Sequence, residues 1–334
     1  GQVVSTWDIL SGDVTPGETV LIYDDAGDYA GLQAAEKIAA TGARVEIVTR
    51  DRSIASEVMA MSLTPAMREL QQRDVTFTVT WKLDAVSREG NALRAVLDRY
   101  KAKGLTPVVA VELEFYLIDD SGRSLQVPVS ERSGKRRKAA ETMSIRALDS
   151  FDQFFTDLYD ACEEMDIPAD TAISEAGLGQ FEINLMHSED ALRAADDAWL
   201  FKWLVKGLAR RHGFAASFMA KPYDDYAGSG LHTHFSVLDE NGDNIFDDGG
   251  ETGTEVLRHA IGGCLDAMAD SALIFAPHHN SYDRLVPEAH APTGICWAYE
   301  NRTAAVRVPS GDARARRIEH RVAGGDVNPY LMLA

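Results

Sequence analysis

One segment of the sequence alternates so regularly that it constrains the fold more than any other. From Val108 to Ile118 the pattern predicts a β-strand with one face in a core and the other face open. Glu112 and Glu114 then point to the same side of the strand, while Leu113 points to the opposite side. Two adjacent carboxylates repel and favour a neutralising cation. For this pair alone, a solvated sheet face is the simpler interpretation.

The same arrangement recurs in later strand-like segments, and this changes the interpretation. We predict an antiparallel sheet that includes Gly179–Met186, Leu231–Leu238, Ala304–Val308 and Arg317–Val322. Alternate positions on these strands carry carboxylate, imidazole, amide or guanidinium groups. The pairs that share a face are Glu182 with Asn184, His232 with His234, and Glu319 with Arg321. If these faces converge, they form a cage of hard ligands for Mg²⁺ or Mn²⁺.

A second group of candidate residues is cationic and lies towards the end of the chain. Its members are Arg284, Arg302, Arg307 and Arg321. Guanidinium groups bind carboxylates and phosphates through paired hydrogen bonds. Phosphoryl transfer needs metal ions across the phosphates and fixed positive charge for the transition state. The two groups together favour such an enzyme, although any one arginine also fits a surface ion pair.

The charge balance and composition exclude other classes of function. The net charge of -19 argues against a nucleic-acid-binding protein, which needs a basic face. The sequence shows no apolar run of membrane-spanning length and no signal-peptide pattern, so we expect a soluble protein with no membrane partner. The odd number and wide spacing of the cysteines predict free thiols in a reducing cytoplasm. They are Cys162, Cys264 and Cys296.

The first part of the chain follows a different pattern. Val20–Tyr23 and Val45–Val48 are short apolar runs that flank the amphipathic segment Ala30–Ala40, which predicts a β-α-β unit. Further elements are predicted as a helix near Pro65 and as strands at Val75–Val79 and Leu93–Val96. These elements make about half of a nucleotide-binding fold. We therefore assign residues 1–96 to a partial Rossmann-like segment and residues 97–334 to a second domain.

Six stretches of the second domain resemble the signatures of the glutamine synthetase family. They are Val111–Phe115, Glu175–Glu182, Gly228–His234, Asn280–Arg284, Glu300–Arg302 and Asn328–Leu331. The stretches occur in the family's order and span about Arg99 to Ala334. The resemblance implies an α+β fold. It would consist of an incomplete antiparallel-sheet catalytic domain, preceded by a partial Rossmann-like α/β unit.

The resemblance also implies roles for individual residues, with two divalent-cation sites for Mg²⁺ or Mn²⁺ and with ATP as a substrate. The cation site nearer the substrate glutamate would be formed by Glu114, Glu175 and Glu182. The site nearer the ATP phosphates would be formed by Glu112, His232 and Glu319. Substrate-binding positions are matched by Gly228, Arg284 and Arg321. ATP-contacting positions are matched by His234, Arg302 and Arg307, and the last two also match catalytic positions.

The implied reaction forms an amide in two steps: ATP phosphorylates the γ-carboxylate of glutamate, and an amine then displaces phosphate. Two positions depart from the ammonia-using members of the family. His290 stands where those members carry a flap glutamate that helps to deprotonate ammonium, so we count it as a catalytic candidate. Ala227 stands where they often carry an asparagine. The sequence is most similar to the γ-glutamylpolyamine synthetase branch, and we expect a small amine or polyamine in place of ammonia.

Two parts of the family's architecture have no counterpart in this sequence. The small N-terminal β-grasp domain, which in the family completes the site of the neighbouring subunit, is missing. The sequence also stops at the apolar segment Tyr330–Ala334, where the family continues with helices. We therefore expect a catalytic domain truncated at its C-terminus, and an incomplete scaffold for the family's homo-oligomer.

The front segment, residues 1 to about 96, is similar to a nucleotide-binding part of the trimethylamine dehydrogenase and dienoyl-CoA reductase flavoenzymes. Of the G-x-G-x-x-G/A fingerprint it keeps only Gly27 and Ala30, because Asp25 replaces the first glycine. Arg50 follows the second strand where an NAD-binding fold needs an acidic residue. Gly27 and Ala30 are weak cofactor-binding candidates, and we expect that FAD or NAD(P) does not bind.

Three functions stay open from the sequence alone. The first is an ATP-dependent ligase that joins glutamate to an amine, and it rests on the acidic and arginine groups. The second is a redox fragment that binds FAD or NAD(P) through the front segment. The third is an inactive fusion of two enzyme fragments that keeps nucleotide- or metal-binding residues.

Overall fold

Two compact units make up the chain, Gly1–Glu89 and Gly90–Ala334, which we call the front unit and the large unit. The structure is a computed structural model that describes residues 4–24, 26, 29–49, 54–56, 58, 60–78, 92–122, 125–287 and 291–334. Of residues 60–62 and 64 it describes only the backbone.

The front unit is a parallel α/β unit. Its elements are α1 (Thr6–Ser11), β1 (Thr19–Tyr23), α2 (Tyr29–Ala39), β2 (Arg44–Val48), α3 (Ala60–Leu70) and β3 (Val75–Thr78). The strands pair in parallel in the order β1-β2-β3, as their connection by helices requires. Helix α2 ends at Ala39 and is followed by Gly42 with a φ of +86°, a backbone conformation that favours glycine. The predicted β-α-β unit is confirmed.

The large unit is built on one mixed sheet flanked by helices. Its first elements are α4 (Ala92–Lys101), β4 (Thr106–Ile118), α5 (Ile145–Asp149), α6 (Asp152–Glu164), β5 (Ala169–Ser174), β6 (Gln180–Leu185), α7 (Ala191–Arg211) and β7 (Ala215–Ser217). The remaining elements are β8 (Leu231–Leu238), α8 (Glu255–Ala267), α9 (Ala272–Phe275), α10 (His279–Asp283), β9 (Trp297–Tyr299), β10 (Val306–Val308), β11 (Ile318–His320) and α11 (Pro329–Leu333).

The sheet of the large unit has the order β5-β6-β4-β8-β11-β10-β9, and β7 pairs with one end of β4. All of these pairs are antiparallel except that between β9 and β10, which is parallel. The expected α+β architecture with a predominantly antiparallel sheet is confirmed. The long strand β4 lies at the centre, so its side chains have strands on both sides.

The two faces of β4 differ sharply, as its alternation predicts. Val111, Leu113 and Phe115 are buried in the main core together with α6 and α7. Phe115 packs against Phe181 of β6 with ring centroids 6.4 Å apart. Burial of these large apolar side chains is the main driving force for assembling the sheet. The opposite face is thereby left to the acidic residues.

One predicted element is wrong. Leu93–Val96 was expected to be a strand, but these residues lie in the first turns of α4. Leu93 is buried and Leu97 packs beside it in the same cluster, which is the four-residue spacing of one helical face. A four-residue window is too short to distinguish a helix from a strand. Within the described ranges, no helix is long and apolar enough to span a membrane.

Candidate active site

The register of the sheet aligns the polar residues that the sequence placed on separate strands. Glu112 lies opposite Asn184 of β6 on one side and opposite His232 of β8 on the other. Glu114 lies opposite Glu182. Further along the sheet, His234 lies opposite Glu319 and Arg307 lies opposite Glu319 on its other side. Side chains directly opposite each other share a face, so these groups converge on one surface of the sheet.

Glu112 is at the centre of this acidic face. Its Oε2 is 3.0 Å from Nδ1 of His232, and its Oε1 is 2.8 Å from Nε2 of His234. The Nδ2 of Asn184 also donates to Oε1, at 3.3 Å. Burial acts to raise the pKa of Glu112, but the hydrogen bonds and charges of the two histidines outweigh it and hold this pKa below its usual range.

Glu319 is the most deeply buried carboxylate of the site, with 1% of its surface exposed. Its Oε2 accepts a hydrogen bond from Nη1 of Arg307 at 2.6 Å, and its Oε1 accepts one from Nη1 of Arg321. Nδ1 of His232 lies 3.9 Å from Oε1. Burial would raise the pKa of Glu319, but the nearby positive charges lower it overall. This carboxylate is therefore held in its charged form.

Glu182 and Glu175 are in the opposite situation. Burial, and then the charges of Glu112 and Glu114, raise the pKa of Glu182 well above its usual range. Burial and the same two neighbours raise the pKa of Glu175 to about 7. Carboxyl groups crowd this end of the face, and the positive charges of Arg302 and Arg321 only partly offset the rise in their pKa values. A bound divalent cation would compensate the negative charge of these carboxylates.

Glu114 is held by an amide that the sequence interpretation missed. The Nε2 of Gln180 donates to Oε2 of Glu114 at 3.1 Å and to the carbonyl oxygen of Gly228 at 3.0 Å. The backbone N–H of Gly230 donates to the same Oε2 at 2.8 Å. Gln180 shares its strand face with Glu182, so the alternation that revealed Glu182 could also have revealed Gln180.

Two groups of potential metal ligands emerge, and Glu112 belongs to both. The first also contains Glu182 and His232, and the second also contains His234 and Glu319; within each group the ligand atoms lie within 4.8 Å of one another. Carboxylate oxygens and imidazole nitrogens form a donor set that suits Mg²⁺ or Mn²⁺. The described side chains therefore fit a divalent cation, although their grouping differs from the two triads predicted from the sequence.

The substrate-binding candidates Gly228 and Arg284 lie next to each other. A Cβ on Gly228 would come within 2.6 Å of Cγ of Arg284 and within 2.5 Å of the carbonyl oxygen of Ala220, so only glycine fits. Arg284 is buried, and its Nη1 and Nη2 donate to the carbonyl oxygens of Val322 and Arg321 at 2.9 and 3.3 Å. Burial lowers the pKa of its guanidinium.

The chain matches the catalytic domain of glutamine synthetase over residues 88–334. The chain belongs to the glutamine synthetase family. It is 41% identical over 247 residues to γ-glutamylputrescine synthetase PuuA of Escherichia coli strain K12, which covers 73% of this chain and 52% of that protein. A solved structure, the GmaS/ADP complex, is 31% identical with a TM-score of 0.65 and covers 78% of this chain and 61% of that chain.

The chain spans about half the length of the curated glutamine synthetase relatives that it matches. A separate match of 93 residues is 67% identical to the probable N-methylproline demethylase of Rhizobium meliloti strain 1021. It covers 28% of this chain and 14% of that protein. The chain therefore matches relatives of two kinds.

The glutamine synthetase motifs also include Arg302, which differs from the other arginines. Its side chain is exposed, and its positive charge acts on Glu175, where it opposes the rise in pKa. Its carbonyl oxygen accepts a hydrogen bond from Nε of Arg321 at 3.0 Å. Among the described residues, no hydrogen bond or ion pair holds its guanidinium, which is therefore available to a ligand.

A cavity of about 240 Å³ opens beside the acidic face and contains two residues that the sequence interpretation missed. Nε of Arg317 donates to Nδ1 of His234 at 2.9 Å, and the ring of His187 lies 6.3 Å from that of His234. Burial, followed by the charges of His234 and Arg317, lowers the pKa of His187. Arg317 precedes Glu319 by two residues, just before β11, so the predicted alternation over Arg317–Val322 was again a sufficient signal.

The remaining candidates, His290, Gly27 and Ala30, are not among the described residues of the acidic face. His290 and Gly27 are outside the described residues, so the structure gives no position for them. Ala30 lies in the first turn of α2 in the front unit. At the end of β1, just before this helix, the carboxylate of Asp24 is buried, and its Oδ1 would lie 3.1 Å from a Cβ on Gly31. An acidic group at this position is unfavourable for a phosphate-bearing cofactor.

Proposed function

We propose that this chain is an ATP-dependent glutamate–amine ligase, which forms a γ-glutamyl amide through γ-glutamyl phosphate. The observation that carries the proposal is the convergence of Glu112, Glu182, His232 and Glu319 beside Arg307 and Arg321 on one sheet face. Such a face binds cations and anions side by side. That combination suits the triphosphate of ATP and the carboxylate that attacks it.

We assign two divalent cations, Mg²⁺ or Mn²⁺, to the acidic face, held by the six predicted ligands. These are Glu112, Glu114, Glu175, Glu182, His232 and Glu319. When bound, the cations would neutralise phosphate charge during transfer. The buried ion pairs that Arg307 and Arg321 make with Glu319 keep both guanidiniums oriented towards the same face. The two arginines can then stabilise charge that develops on the transferred phosphoryl group.

The first step in this proposal is attack of a γ-carboxylate oxygen of glutamate on the terminal phosphorus of ATP, with ADP as the leaving group. Arg284 and Gly228 would receive glutamate, since Gly228 leaves space where any other side chain would collide with Arg284. His234, Arg302 and Arg307 would contact ATP. The name of the similar GmaS/ADP complex is consistent with a nucleotide in this fold.

In the second step the amine nitrogen attacks the acyl carbon and phosphate leaves. We propose a small amine or polyamine rather than ammonia, because γ-glutamylputrescine synthetase is 41% identical over 247 residues. The amine must lose a proton, and the sequence prediction assigns a part in this step to His290. The free cysteines Cys162, Cys264 and Cys296 are consistent with the reducing cytoplasm that we propose for the reaction.

The test is calorimetric titration of ATP into the full chain with and without Mn²⁺, on the wild type, Glu114→Ala and Glu319→Ala. We expect ATP binding only with the metal and at least tenfold weaker binding in each variant, because each removes a ligand or its charge. Glu300→Ala is a matched control, since Glu300 also pairs with Arg307 but its side chain is 53% exposed.

An amine screen follows, with ADP release measured in the presence of glutamate. Faster turnover with ammonia than with any amine would exclude the proposed substrate class. Binding of ATP without any turnover would instead identify the chain as an inactive fusion that keeps the metal and nucleotide residues. Absence of metal-dependent ATP binding would exclude both. A flavin absorbance band on the purified protein would contradict our expectation that the front unit carries no FAD or NAD(P).

A further inference from the structure

The polar face of β4 does not end at its carboxylates. Tyr116 follows Glu112 and Glu114 at the same two-residue spacing, so its side chain lies on the same face. The Tyr116 hydroxyl donates to the carbonyl oxygen of Ala227 at 2.6 Å and lies 3.3 Å from Oε1 of Gln180. Gln180 also holds Glu114. One hydrogen-bond network therefore joins this phenol to the acidic face.

Two further tyrosines continue from Tyr116 towards the surface, and we call the three the tyrosine ladder. The ring centroids of Tyr116 and Tyr223 are 5.2 Å apart, and those of Tyr223 and Tyr226 are 5.5 Å apart, both with edge-to-face geometry. Tyr116 is fully buried, Tyr223 is half-buried and 39% of Tyr226 is exposed. The ladder thus leads from the acidic face to solvent.

The outer part of the ladder is chemically unused by the protein. Across the described ranges, no Lys or Arg lies over the rings of Tyr223 or Tyr226, and neither hydroxyl makes a hydrogen bond. The nearest cation in sequence, Lys221, donates to the carbonyl oxygen of Tyr226 instead. The faces of aromatic rings attract cations, and partial burial strengthens that attraction. These two rings are therefore available to a cation from outside.

Negative charge lies at both ends of the ladder. At the inner end, Glu114 precedes Tyr116 by two residues on the same strand face, and both side chains hydrogen-bond to Gln180. At the outer end Asp224 and Asp225 are exposed, next in sequence to Tyr223 and Tyr226. A ligand that matches this layout has two cationic ends and an alkyl chain between them.

We propose that Tyr223 and Tyr226 form a subsite for the distal ammonium group of a diamine or polyamine substrate. This inference rests on the proposed amide-forming function, because it assumes that the reacting amine lies at the inner, acidic end of the ladder. A monoamine of equal length would bury its uncharged end against the same rings and gain no cation–π attraction. The ladder therefore selects a second positive charge rather than chain length alone.

The test compares the binding of 1,4-diaminobutane and butylamine to the full chain by calorimetry, in the presence of Mg²⁺, ADP and glutamate. We expect 1,4-diaminobutane to bind tighter than butylamine. Tyr226→Leu should weaken the diamine about fivefold and leave butylamine unchanged. Tyr226→Phe keeps the ring face and should retain most of the affinity. Tyr29→Leu is a matched control, because Tyr29 is 42% exposed in the front unit.

The outcomes separate this inference from the proposed function. Diamine binding that depends on Tyr226 supports the subsite even if no ADP is released. Turnover with amines whose selectivity is unchanged by Tyr226→Leu and Tyr223→Leu overturns the subsite and leaves the ligase function intact. Failure of the wild type to bind 1,4-diaminobutane, or equal weakening of both amines by Tyr226→Leu, also overturns it. Unchanged thermal unfolding of the variants shows that they are folded.

Discussion

The two units of this chain differ in how many polar side chains they bury. Among the described residues of the front unit, only Asp24 and Thr49 are buried polar side chains. The large unit buries carboxylates, guanidiniums, imidazoles and an ammonium, and many of them meet on one sheet face. Burying a charge is costly unless a partner compensates it. A unit that buries many charges together is therefore organised around a ligand, whereas the front unit is organised around an apolar core.

The same difference shows that site residues are a better guide to function than strand topology. The front unit has the parallel strands of a nucleotide-binding fold, but at the end of β1 it carries the buried carboxylate of Asp24. Topology alone gives no chemistry. In the large unit β4, β6, β8, β10 and β11 each contribute an acidic, basic or imidazole group to a common surface.

The largest effect is expected at Glu319, which is the partner of the buried Arg321 and of the half-buried Arg307. Without metal, Glu319→Gln should lower the free energy of unfolding of the large unit by about 3–5 kcal/mol, because Arg307 and Arg321 lose the charge that compensates them. Urea unfolding measures this loss. Glu300→Gln, which touches Arg307 from an exposed position, should cost less than about 1 kcal/mol. If both variants lost the same free energy of unfolding, burial would not determine how much an ion pair with Arg307 stabilises the unit.

A second prediction concerns Lys202, a buried cation away from the acidic face. Its Nζ donates to the carbonyl oxygen of Val327 at 3.0 Å, and burial lowers its pKa from 10.5 to about 8. Between these two values the folded state is neutral while the unfolded state still holds the proton. Unfolding then takes up a proton, so its free energy rises with pH across this window, by roughly 3 kcal/mol.

The Lys202→Met variant should lose this rise, because methionine does not titrate. Urea unfolding at several pH values between 8 and 10.5 compares it with the wild type. Lys101→Met is the control, since Lys101 is exposed in the last turn of α4. If the wild type and Lys202→Met had the same slope, Lys202 would keep its charge in the folded state.

Side-chain alternation explains how much of the site could be predicted from the sequence. A strand period of two residues requires no tertiary information, so the shared faces of Glu112 with Glu114 and of His232 with His234 followed from it. The same rule could have found Gln180 and Arg317. It could not predict that Glu112 would join both ligand groups, because that depends on strand register and rotamers. These are set by packing across the whole sheet.

Other parts of the fold lay beyond local patterns. Residues Leu93–Val96 alternate over too short a window, and the helical partner that decides the matter, Leu97, lies just outside it. The parallel pairing of β9 with β10 is likewise invisible locally, because Trp297–Tyr299 and Val306–Val308 are three residues each. Strand direction is set by the connection between the strands and by the rest of the sheet.

The third prediction separates the units by their response to metal. Mn²⁺ at a hundred times its dissociation constant should raise the free energy of unfolding of the large unit by about 2.7 kcal/mol for each site that it fills, and should leave the front-unit transition unchanged. Thermal unfolding with and without a chelator measures both transitions. Glu182→Gln should reduce the shift, because it removes a ligand of the first group and leaves the second group intact. A shift of the front unit would contradict the assignment of metal binding to the large unit alone.

The smallest effect is expected in the front unit, where backbone conformation rather than charge is at stake. Gly42 has a φ of +86° and open space around it, so Gly42→Ala should cost about 1 kcal/mol through backbone strain alone. Gly17 also has open space but no positive φ, and Gly17→Ala should be neutral or slightly stabilising. Urea unfolding of the front unit compares the two variants. If both variants changed the free energy of unfolding equally, the backbone of the turn after α2 would adapt to alanine. The front unit would then be less rigid than the apolar core around α2 indicates.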